Sequence, residues 1–161
     1  MRETKRDQED DYGGNIVKIS TIETKLASRY DEFDPEQDGN KNTRFADIII
    51  DGTSLYQSLK KHELIPCLGW GSDEYQRLLI DYFLLKKSHE SMYYRYPILV
   101  CPWCGDEECG FISVKIDRED DVVIWRDFIL NDKNLQVGPF YFGWENYKQA
   151  IENTFGTAGI Q

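Results

Sequence analysis

The chain has 161 residues and a formal net charge of −10, with 29 Asp and Glu against 19 Lys and Arg. That length suits one domain around one core. The acidity disfavours nucleic-acid binding, which relies on basic patches, and no apolar run approaches the roughly 20 residues of a membrane-spanning helix.

Met1 to Asp11 is charged and lacks the apolar segment of a secretory signal, so a cytoplasmic location is expected. Residues 1–43 read as a polar, partly disordered N-terminal arm. Within it, Ile16, Val17 and Ile19 suggest a short strand over Asn15 to Thr21, and loop-forming residues dominate from Asp31 to Asn42. Asp34 to Asn40 is faintly like a calcium loop, but Phe45 stands at the twelfth position, where an EF-hand needs a bidentate Glu. A solvated loop is expected there.

Residues 44–161 read as a single α+β domain. Phe45 to Asp51 is a β-branched strand closed by Asp51-Gly52. Thr53 or Ser54 then caps a short helix presenting Leu55, Tyr56 and Leu59. Tyr75, Leu78, Leu79 and Tyr82 recur at helical spacing within 73–87, although Leu78 to Leu85 also suits a buried strand; helix is favoured. Tyr96 to Val100 is a strand running into a cysteine-rich turn. Ile112, Val114 and Ile116 alternate with Ser113 and Lys115. Arg118 to Asp121 forms a hairpin loop, and Val122 to Phe128 and Pro139 to Phe142 continue the sheet. Trp144, Tyr147, Ile151 and Phe155 mark a closing amphipathic helix. The expected architecture is an antiparallel β-meander with flanking helices, its C-terminal amphipathic helix packed on the sheet.

Three of the four cysteines fall within the nine residues Cys101 to Cys109. Cys101, Cys104 and Cys109 are candidate zinc ligands, because a C-x₂-C turn points two sulfurs one way and structural zinc takes four donors. Cys67, His62, His89 or Asp106 is available as a fourth only if the fold brings it near. Reduced structural thiols explain the same residues. Cys101-Pro102-Trp103-Cys104 also resembles the C-P-x-C site of glutaredoxins, whose thiolate is stabilised by a helix starting at the motif. Here Gly105, three acidic residues, Gly110 and a β-patterned run follow, and the carboxylates would raise a neighbouring thiol pKa.

Residues 106–121 hold seven Asp or Glu against Lys115 and Arg118. The triplets Asp106-Glu107-Glu108 and Glu119-Asp120-Asp121 flank one strand, with their ends on the order of 20 Å apart. They are candidates for steering a basic partner, with Trp103 supplying contact area; simple solvation of two loops is the alternative. Trp125 and Asp127, two residues apart, are expected on one strand face. No nucleophile motif, phosphate loop or assembled catalytic set is visible.

Phe45-Ala46-Asp47, Asp51 to Tyr56, Leu68-Gly69-Trp70, the turn Cys101-Pro102-Trp103-Cys104-Gly105-Asp106 with Cys109-Gly110, Val123 to Phe128, and Gly138 to Phe142 with Tyr147 form one pattern. In it the chain resembles a bacterial family of small uncharacterised proteins, marked by the C-P-x-C-G-D-x-x-C-G turn followed by V-x-W-x-D-F. Some members carry an oxidoreductase label, so the resemblance implies at most a thiol–disulfide activity.

The expectation is thus a small, acidic, non-enzymatic protein-binding domain of the immunity or antitoxin kind, neutralising a basic toxin. A zinc-stabilised structural or adaptor domain is the alternative, and a thiol–disulfide oxidoreductase ranks third. Neither nucleic acid nor membrane is expected as a partner.

Overall fold

The computed structural model describes residues 9–12, 15–28, 44–88, 95–101 and 110–157, those before 18 by backbone alone. In chain order the elements are β1 (Glu9–Tyr12), β2 (Asn15–Lys18), β3 (Ile22–Ser28), β4 (Arg44–Ile50), β5 (Thr53–Ser54), α1 (Leu55–Ser58), a 3-10 turn (Lys60–His62) and β6 (Ile65–Pro66). They continue with α2 (Asp73–Phe83), β7 (Arg95–Val100), β8 (Phe111–Glu119), β9 (Val122–Leu130), β10 (Lys133–Asn134), β11 (Phe140–Gly143) and α3 (Trp144–Glu152). The fold is α+β, with antiparallel sheets and a C-terminal helix packed on them.

Strands β6, β7, β8 and β9 pair in that order, with β10 and β11 both on the far side of β9, while β3, β4 and β5 form a second sheet. Two seams join the sheets. The Ala46 amide donates to the Leu68 carbonyl at 3.0 Å, and the Ser20 amide donates to the Tyr141 carbonyl at 2.7 Å. Ser20 also bridges Phe142 in parallel. The strands therefore follow a ring, from β3 and β4 across to β6–β9 and β11, and back to β3 through Ser20.

The first seam depends on Gly69. Its φ of +92° is left-handed, and a Cβ there would sit 2.7 Å from both the amide nitrogen and the Cβ of Ala46. Only glycine lets the two backbones approach this closely.

Burial on both faces explains the near-continuous apolar run of β4. Ala46, Ile48 and Ile50 enter the main core, whereas Phe45 packs with Tyr56 and Ile65 in a second cluster. Residues 22–28 fall within the segment expected to be a polar arm, yet all seven pair with β4 and Ile22 is buried. Helix α3 holds this strand. Asn146 accepts from the Ile22 amide and donates to the Ile22 carbonyl, both at 2.9 Å, and the Thr24 hydroxyl donates to the Ala150 carbonyl at 3.0 Å.

Aromatic rings fill the centre. Trp125 is wholly buried and meets Phe83, Phe142 and Tyr147 edge-on, with centroids 5.9, 5.2 and 5.9 Å away, a geometry favoured by ring quadrupoles. The Tyr147 hydroxyl accepts from the Trp125 indole N–H at 3.2 Å and donates to the Phe83 carbonyl at 2.6 Å. One phenol thus links α3, β9 and the end of α2.

Helix α2 settles the 73–87 ambiguity. Ser72 caps it by accepting from the Tyr75 amide at 3.1 Å, and Asp73 and Glu74 complement the dipole in the first turn. It stops at Phe83 rather than Lys87, because Leu85 turns left-handed at φ 62°. The Leu85 and Lys86 amides then bond back to the Tyr82 and Asp81 carbonyls at 3.0 and 2.8 Å, a Schellman ending. Among the described residues no helix is long and apolar enough to cross a membrane.

Candidate functional site

The hairpin between β8 and β9 turns through Asp120 and Asp121, with Glu119 opposite Val122. Asp120 is left-handed at φ 53°, a conformation Asp tolerates better than most residues. Two contacts hold this turn against the start of α3. The Arg118 guanidinium lies over the Trp144 ring, 3.7 Å from its centroid, while Arg118 Nε donates to the Asp120 carbonyl at 2.8 Å. The Trp144 amide donates to the Asp121 carbonyl at 2.7 Å, satisfying one of the N–H groups that a helix start leaves unpaired. Glu119, Asp120 and Asp121 are exposed, and exposed Glu145 in the first turn of α3 adds a fourth carboxylate. The result is an acidic corner on a fixed frame.

The other predicted site residues divide sharply. Trp103, Cys104, Asp106, Glu107, Glu108 and Cys109 lie outside the described residues, as do His89 and the loop Asp34 to Asn40. Cys101, just past β7, is buried with a free thiol. Cys67 sits in the main core, its thiol donating to the Pro97 carbonyl at 3.3 Å. His62 lies in the 3-10 turn. Among the described residues, no three His, Cys, Asp or Glu side chains gather where an ion would fit.

Trp125 and Asp127 do not share a face. The β8–β9 register shifts between Ser113 and Lys115, and Asp127 is left-handed at φ 55°. This bulge breaks the two-residue alternation. Trp125 is sent into the core and Asp127 to solvent. The Asp127 carbonyl accepts a short hydrogen bond from Arg95, which also donates to Ser113 Oγ at 3.1 Å. Arg95 thus ties β7 to β9 across β8. Partial burial lowers its pKa, and the Asp127 charge opposes that shift.

Sequence reasoning missed Asp47, a carboxylate buried in β4. It accepts from the Ser54 hydroxyl at 2.5 Å and from the Tyr56 amide at 3.3 Å. Burial raises its pKa, and the hydrogen bonds from Ser54 and Tyr56 pull it back. Ser54 Oγ in turn accepts from the Gln57 amide at 3.0 Å, capping α1. A serine against a carboxylate is superficially a catalytic pair, but this hydroxyl is committed to the cap and no histidine stands between them. The available signal was a lone Asp in a strand that is otherwise apolar from Phe45 to Ile50.

Comparison of the chain with protein families, curated proteins and solved structures finds no match.

Proposed function

We propose that the chain is a small, acidic, non-enzymatic protein-binding domain that neutralises a basic toxin, in the manner of an immunity protein or antitoxin. The observation that supports this reading is the acidic corner: Glu119, Asp120, Asp121 and Glu145 on a turn held by Arg118 and Trp144. Charge complementarity accelerates encounter with a basic partner, and a turn already fixed in place loses less entropy on binding. The test is affinity capture from the protein's own cells at low and moderate salt, beside a variant carrying Glu119→Lys, Asp120→Lys and Asp121→Lys. The expected result is a basic partner held in a salt-sensitive way by the wild type and lost by the variant. Recovery of no basic partner at either salt overturns the proposal.

A second reading has its own support. Val100 and Phe111 pair directly, so the two residues that flank Cys101 to Gly110 sit on one rung of the sheet. Flanks held side by side suit zinc bound by Cys101, Cys104 and Cys109 in a structural or adaptor domain. Metal analysis of protein purified without an affinity tag, with melting followed in a chelator, tests this; zinc near zero and an unmoved melting temperature retire it. Thiol–disulfide exchange ranks third, since Gly105 and three acidic residues directly follow the C-P-x-C motif. Membership of the bacterial family with the C-P-x-C-G-D-x-x-C-G turn is likewise proposed on the motif.

A further inference from the structure

We draw no further inference here: the strongest candidate, the cross-strand row of Arg95, Lys115 and Arg126 on the outer face of β7, β8 and β9, carries nothing because Asp117 pairs with Arg126, the Asp127 carbonyl takes Arg95, and nothing in the structure shows what covers that face.

Discussion

Arg118 and Trp144 are 26 positions apart in sequence, yet the guanidinium stacks on the indole 3.7 Å from the ring centroid. The pair fastens the β8–β9 turn to the first residue of α3. An exposed cation–π contact contributes about 0.5–1 kcal/mol, so its role is positional more than stabilising.

Arg118→Ala therefore lowers global stability by less than about 1 kcal/mol, while freeing the turn. Hydrogen exchange at the Asp121 and Val122 amides should quicken well beyond exchange in the core strands. Unchanged protection at the turn would show that the stack does not hold it.

Tyr147→Phe removes one hydroxyl and leaves two buried groups without partners, the Phe83 carbonyl and the Trp125 N–H. The expected loss is about 1–3 kcal/mol in urea unfolding. The pH dependence is also specific. Burial raises the phenol pKa above its ordinary value of 10.0, so the folded state retains this proton more tightly than the unfolded chain. Its contribution is complete below that value and fades as the pH climbs past it. The wild type should weaken in strong alkali more steeply than Tyr147→Phe.

Asp47 shows the same sign in a lower range. Burial raises its carboxyl pKa above 3.8, so its contribution is greatest below that value and declines as pH rises through the folded pKa. Asp47→Asn removes this titration and keeps an acceptor for the Tyr56 amide. Measured by urea unfolding, the stability of Asp47→Asn relative to the wild type should improve between pH 3 and pH 7, windows set by the reference value. A difference constant with pH would mean that burial does not govern the carboxyl. Asp47→Ala, which orphans the Tyr56 amide, should cost about 1–3 kcal/mol.

Gly69→Ala places a methyl group 2.7 Å from the Ala46 backbone at a φ of +92°. The atoms it meets are the amide nitrogen, Cα and Cβ of Ala46, none of which is the end of a flexible side chain. The expected destabilisation exceeds about 2 kcal/mol, read as a lowered urea midpoint. A neutral result would show that the β4–β6 seam is loose.

The elements visible in the sequence are those whose signals are local. Ser54 announces its helix, the spacing of Tyr75, Leu78, Leu79 and Tyr82 announces α2, and β8 alternates as its Ile112, Val114 and Ile116 require. The strand at Ile22–Ser28 was hidden, because I-E-T-K-L-A-S has little apolar pattern of its own. Its stability comes from β4 and from Asn146, 124 residues further along. The bulge at Asp127 was equally invisible, since a left-handed aspartate leaves the strand composition unchanged. Of the acidic corner, Glu119, Asp120 and Asp121 were legible, but neither Glu145 nor the indole that holds their turn.

The joining of Ser20 to Tyr141 and of Ile22 to Asn146 has a consequence for biosynthesis. During translation from the N-terminus, the segment at Ser20 to Ile22 must wait for β11 and α3 before these backbone groups are satisfied. Such distant closures are slow. The nascent chain therefore carries an unsealed sheet until β11 and α3 emerge, and that interval is when it is most exposed to association with other unfinished chains.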